Sequence, residues 1–189
     1  MSNFLLLDVN GTVGTDQPPL IEYLNNPESF PWMDRVHAYV NKQTLNTIKD
    51  ISEKYDVTVL WISLRANDAL SINSLIDVNW DYLELNGSFN GSNTWPKTAP
   101  IVEFYKQHPN SIIVICDDML RVNGAYNELK NEAPQIKTVI PPTTTGITSE
   151  ELNEIEQHFD NQNRKILSTD EFFGPDWRDE LDQVEDDWI

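Results

Sequence analysis

The chain is short of cysteine, positive charge and long apolar runs, and each shortage removes a class of protein. A single Cys116 excludes an internal disulfide and any metal site built from several thiolates, and it suits a reducing cytosol. Only 13 Lys and Arg stand against 31 Asp and Glu, a formal net charge of −18, so the surface repels phosphodiester backbones and nonspecific nucleic-acid binding is disfavoured. No stretch approaches the length of a membrane span, and no basic segment precedes the short apolar run at the N-terminus. Together these predict a cytoplasmic protein that is neither membrane-bound nor exported. The Asn-Gly-Thr and Asn-Gly-Ser triplets at Asn10, Asn86 and Asn90 then read as turns rather than glycosylation acceptors. Internal repeats are absent, and 189 residues allow one full core but not two.

What is present alternates. Phe4 to Leu7 is a fully apolar run that ends on Asp8 and is followed by Gly11 and Thr12, the pattern of a buried parallel strand delivering a carboxylate to the C-terminal edge of a sheet. A proline-bearing stretch from 18 to 31 reads as a loop or small hairpin, and the spacing of Val36, Val40, Ile48, Ile51 and Tyr55 predicts a helix over about 36–55. Val57 to Ile62 is a second strand ending on Ser63. Asn67-Asp68 caps a helix carrying Ala69, Ile72, Leu75 and Ile76, and Trp80 to Leu85 is a third strand closed by turns at Asn86-Gly87 and Asn90-Gly91. A helix over 98–107 leads to the strongest strand, Ser111 to Cys116, which stops at Asp117-Asp118. Another helix (124–131), a strand (136–140) ended by Pro141-Pro142, and a capping box at Thr148 and Glu151 opening a helix to about Phe159 complete the domain. Such alternation predicts an α/β fold with a largely parallel sheet covered on both faces.

Beyond the domain at 1–167, the segment 168–189 changes character. Nine acids face a single Arg178, interleaved with Phe172, Phe173, Trp177 and Trp188. It is either an arm that docks its aromatic side chains on the domain or an acidic peptide that binds a protein partner.

The strand ends and one helix start carry Asp8, Ser63, Lys97 and the pair Asp117-Asp118, and in a parallel α/β sheet these converge on one edge. Each type has a task if the guest is a phosphoryl group. A carboxylate attacks phosphorus, a hydroxyl donates to a phosphoryl oxygen, an ammonium offsets charge, and further carboxylates hold Mg²⁺. Carboxylates that meet this closely repel unless a cation lies among them, so a metal is implied by the charges.

In this order the motifs resemble those of the haloacid dehalogenase-like (HAD) superfamily of phosphotransferases, over roughly residues 3 to 160. Asp8-Val9-Asn10-Gly11-Thr12 matches the D-x-D-G-T motif after the first strand, and Ser63 the Ser or Thr ending the next. Lys97 is the best-placed match to the lysine at a helix start, and Asp117-Asp118 match the terminal acidic pair. The resemblance implies a Rossmann-like three-layer α/β/α sandwich, and a Mg²⁺-dependent phosphohydrolase that acts through an aspartyl-phosphate on Asp8. Ser63 and Lys97 would bind the transferring group, with Lys97 also steadying Asp8, and Asp8, the Asn10 carbonyl, Asp117 and Asp118 would hold or orient the metal.

Asn10 departs from the pattern, because the residue usually there is an Asp acting as general acid and base. An amide cannot carry protons in that way, so slow turnover is expected, or a catalytically attenuated scaffold that binds rather than hydrolyses. Neither interval between motifs has room for a large cap domain, which predicts an open site for a bulky phosphorylated substrate. A response-regulator receiver shares the parts but orders them in reverse. His37, His108 and His158 lie off the strand ends and read as solvated or helix-end residues, and Cys116 as a small core residue. Trp61, Trp80 and Trp95 read as core or rim, with Arg65 and Asp68 at the mouth of the site.

Overall fold

The computed structural model describes residues 2–64, 66–85, 95–122 and 124–172. The chain opens with β1 (Asn3–Leu7), whose five residues are all buried, as an uninterrupted apolar run requires of a strand covered on both faces. A small insert follows: β2 (Gly14–Thr15), α1 (Leu20–Asn25), a 3₁₀ turn at Pro27–Ser29, β3 (Trp32–Met33) and β4 (Ala38–Val40). Then come α2 (Lys42–Lys54), β5 (Val57–Trp61), a one-turn α3 (Ala66–Ala69) continued as a 3₁₀ stretch over Leu70–Leu75, and β6 (Asp81–Tyr82). The second half holds α4 (Thr98–Gln107), β7 (Ile112–Cys116), α5 (Ala125–Glu132), β8 (Lys137–Val139) and α6 (Ser149–Phe172).

Five strands form one sheet in the order β6-β5-β1-β7-β8, and every pairing is parallel. Alternation along β1 divides the core. Leu5 and Leu7 face Leu45, Ile48 and Ile51 of α2 and Ile155 and Phe159 of α6, while Phe4 and Leu6 face Ile101 and Phe104 of α4 and Leu129 of α5. The result is a three-layer α/β/α arrangement. The chain builds outward from β1 through β5 to β6, then crosses to β7 on the other side, so β1 lies at the switch point where an open sheet leaves a crevice at its C-terminal edge.

Several local expectations need correction. The proline-bearing stretch is more than a loop. It contributes α1, and its flanks form a three-stranded antiparallel sheet of order β2-β4-β3. The helix expected from Val36 starts at Lys42, because Val36 and Val40 belong to the β3–β4 hairpin, whose turn ends on His37 at φ 52°. The true helix start is marked by Asn41, whose side chain accepts the Gln43 and Thr44 amides at 3.0 and 3.2 Å. The helix after Ser63 is short and largely 3₁₀. The third strand contributes two residues, with the Leu83 amide adding one bond to the Trp61 carbonyl at 2.9 Å.

The last helix runs to Phe172 rather than Phe159, past the expected boundary at residue 167. Its start carries the reciprocal pattern of a capping box. The Thr148 amide donates to Glu151 Oε2 at 2.9 Å, and the Glu150 amide donates to Thr148 Oγ1 at 3.2 Å. The Asn86-Gly87 and Asn90-Gly91 turns, Arg65 and the acidic segment from 173 onward lie outside the described residues. Among the described residues no helix is long and apolar enough to cross a membrane.

Candidate functional site

Two ladder extensions align the strand ends. The Asp8 amide donates to the Cys116 carbonyl at 3.0 Å, and the Ile62 amide to the Leu7 carbonyl at 3.0 Å. The first sets Asp8 beside Asp117, and the second carries buried Ser63 to the same edge. Beyond Asp8 the chain turns tightly: the Val9 carbonyl accepts the amides of Thr12, Val13 and Gly14 at 3.2, 3.0 and 2.9 Å. Gly11 makes the turn possible at φ 76°, and a Cβ there would lie 2.4 Å from Asp118 Oδ2, so only glycine leaves room for that carboxylate. Fully buried Thr12 accepts the Asp118 amide on its hydroxyl at 3.3 Å.

Lys97 immediately precedes α4 and is buried. Its ammonium lies 2.7 Å from Asp8 Oδ1 and 2.5 Å from Asp117 Oδ2. Asp117 Oδ1 accepts the Met119 amide at 2.8 Å, and Asp118 Oδ2 accepts the Thr143 hydroxyl at 2.8 Å. Asp118 Oδ1 is buried with no partner. Asp8, Asp117 and Asp118 each offer an oxygen within 4.8 Å of the other two. Two carboxylates thus contact one ammonium and a third stands beside them with an unpartnered oxygen, leaving the cluster short of positive charge. This all-oxygen, hard donor set fits a divalent cation of the Mg²⁺ type.

The electrostatics follow. Burial, with the negative charge of Asp118 adding to it, holds the Asp8 carboxyl above its ordinary range although Lys97 pulls it down. Burial and the Asp8 charge push Asp117 to about 7. Burial alone would depress Lys97, but Asp8 and Asp117 outweigh it and raise the ammonium pKa.

Asp117 makes a pH prediction. Its folded pKa lies above the ordinary 3.8, so between about pH 4 and pH 7 the folded chain holds a proton that the unfolded chain releases. The stability this group contributes is complete below about pH 4 and is lost as pH rises toward 7. In chelator, the melting temperature of the wild type relative to Asp117→Asn should fall across that window. A flat difference would refute the assignment.

Lys97→Met makes another. Lys97 is the sole buried cation among the described residues, and its loss leaves three carboxylates uncompensated. Denaturant unfolding at pH 7 in chelator should show a loss of about 3–5 kcal/mol, with part of it regained on adding Mg²⁺. A loss within the usual range of a surface substitution would show that Lys97 does not hold the cluster together.

The sequence matches no protein-family model and no curated protein. Among solved structures it is similar to the HAD domain of the effector protein Lem4 from Legionella pneumophila, determined as an inactive mutant, at 16% identity and a TM-score of 0.50. The alignment covers 88% of this chain and 99% of that domain. The fold is HAD-like.

In this HAD-like fold the four groups read from the strand ends and the α4 start lie on one edge, with Asp8, Lys97 and Asp117 in direct contact. Asn10 is exposed on the turn, its backbone bridging to Gly14. Trp95 packs against the site, with the Lys97 ammonium 5.6 Å from its ring centre, and its buried indole N–H has no partner. Trp61 is core, donating to Asn73 Oδ1 at 3.0 Å and lying 5.5 Å from Trp80. Burial raises the Cys116 thiol well above its ordinary value, which keeps it neutral.

The histidines lie elsewhere. His37 sits by Trp32, and His108 packs between Phe4 and Phe104. His158, on α6, has a lowered pKa, caused first by burial. Thr143 was not singled out from the sequence. The available clue was a threonine-rich turn directly after a parallel strand, but its link to Asp118 spans 25 positions.

Proposed function

We propose that this protein is a Mg²⁺-dependent phosphohydrolase that works through an aspartyl-phosphate on Asp8. One observation carries the reading: a buried ammonium bonded to both Asp8 and Asp117, whose carboxylates cluster with that of Asp118, which has an unpartnered oxygen. Asp8 Oδ1 is held by Lys97, so the carboxylate is fixed in place for in-line attack on phosphorus. The oxygen–phosphorus bond to the leaving group breaks as the bond to Asp8 forms, and water then cleaves the acyl phosphate to regenerate Asp8 and release phosphate. Ser63 donates to a phosphoryl oxygen, and Lys97 offsets the charge that develops there. Asp8, the Asn10 carbonyl, Asp117 and Asp118 would hold Mg²⁺, which supplies charge neutralisation to the transferring group when bound.

Asn10 favours one further reading, a scaffold of the same fold that binds phosphorylated ligands with little turnover, since its amide cannot protonate a leaving group. Acyl phosphates, whose leaving groups need that proton least, are the preferred substrates of the enzyme reading. The insert between β1 and α2 is small, which suits a bulky phosphorylated substrate, and the acidic, aromatic segment 168–189 is the candidate contact for a protein partner if it does not dock on the domain. A cytoplasmic location fits the single reduced cysteine.

A screen of acyl phosphates and phosphomonoesters with Mg²⁺ and with chelator decides between the two readings. Phosphate release that needs Mg²⁺, fastest on acyl phosphates, supports hydrolysis. Mg²⁺ binding without release on any substrate supports the scaffold.

A further inference from the structure

We propose that Thr143 is a positioning residue that aims Asp118 at the cation, an inference that rests on the Mg²⁺ site proposed above. A carboxylate rotates easily about its last torsion, so a buried one needs partners to fix it. Asp118 has one for each part except the oxygen of interest. Its amide donates to Thr12 Oγ1, its Oδ2 accepts the Thr143 hydroxyl at 2.8 Å, and its Oδ1 is buried and unpartnered. Gly11 leaves the carboxylate its space, since a Cβ there would lie 2.4 Å from Oδ2 and 2.8 Å from Oδ1. Thr143 therefore engages one oxygen and leaves the other, Oδ1, without a protein partner and available to a cation.

Thr143 is itself held. It lies in a turn in which the Pro142 carbonyl accepts the Thr145 and Gly146 amides at 3.2 and 2.8 Å. The Ile147 amide then donates to the Thr12 carbonyl at 2.7 Å, tying this turn to the loop that follows Asp8. Gly146 allows the approach at φ 67°, where a Cβ would lie 2.4 Å from the Thr12 carbonyl oxygen. The turn after β8 and the turn after β1 are thus one clamp, and Thr143 is its contact with the acidic cluster. Its side chain is otherwise exposed, so its replacement leaves the core intact.

The test is calorimetric titration of the full chain with Mg²⁺ for the wild type, Thr143→Val, Thr143→Ser and Asp118→Asn, with melting temperatures taken in chelator. Partners that orient metal ligands are typically worth about 10- to 100-fold in affinity, so Thr143→Val should weaken Mg²⁺ binding by that factor. Thr143→Ser, which keeps the hydroxyl, should restore most of the affinity, and the melting temperatures in chelator should barely differ between the two variants. Wild-type affinity in Thr143→Val, with binding lost in Asp118→Asn, would overturn the positioning role and leave the Mg²⁺ site standing. A fall in melting temperature that Thr143→Ser does not reverse would make the role structural and also overturn it. Absence of Mg²⁺ binding by the wild type would overturn the site and this inference together.

Discussion

Asp8→Asn should reduce Mg²⁺-dependent phosphate release by about 10⁴-fold or more, because it removes the attacking oxygen rather than one of several supporting contacts. The amide is nearly isosteric, so the ladder bond from the Asp8 backbone to Cys116 stays. Lys97 keeps Asp117 at 2.5 Å, and one of three crowded carboxylates disappears. The variant should therefore fold and unfold cooperatively in chelator, while acid-quenched mass spectrometry finds no phosphorylated chain. The wild type, quenched during turnover of an acyl phosphate, should show the phosphoryl adduct on the peptide containing Asp8. Turnover that survives Asp8→Asn, or an adduct elsewhere, would remove Asp8 from the chemistry.

Asn10→Asp should raise hydrolysis of poor leaving groups by about 10²–10⁴-fold, the usual worth of general acid–base assistance. The position accepts the change, since Asn10 is exposed and its tie to Gly14 is made by the backbone. The gain should be large for alkyl phosphomonoesters and small for acyl phosphates, since only the former wait for a proton. Comparison of kcat on the two substrate types reads this directly. Equal gains on both, or none on either, would show that proton transfer at this residue does not limit the rate. In that case the scaffold reading gains.

The acidic surface is compatible with the proposed chemistry only if a cation occupies the carboxylate cluster. A net charge of −18 opposes the approach of an anionic phosphoester, and Lys97 alone cannot reverse it among three carboxylates. A divalent cation would offset the excess negative charge of three carboxylates and one ammonium, and the same cation would relieve the carboxylates whose pKa values burial has raised.

Much of the frame was legible because it depends on local pattern. The apolar runs ending on Asp8 and Asp117 declare buried strands, and strict alternation with helices makes the sheet parallel, so residues far apart in sequence meet at one edge. The α4 start after Lys97 and the Thr148–Glu151 cap are equally local. The insert was misjudged because Val36 and Val40 satisfy helical spacing as well as they satisfy a hairpin. The tight turn at His37 and the pairing of β4 with β2 and β3 decide between them.

By itself, then, the sequence determined the alternation of strands and helices in the main sheet, the charge imbalance and which acids follow its strands, since these are written in periodicity and composition. Only the tertiary structure decided that Lys97 holds Asp117 as well as Asp8, that Gly11 makes room for Asp118, and that Thr143 bonds to it. Those are contacts between loops that no periodicity encodes, and their geometry depends on how the sheet and its helices pack.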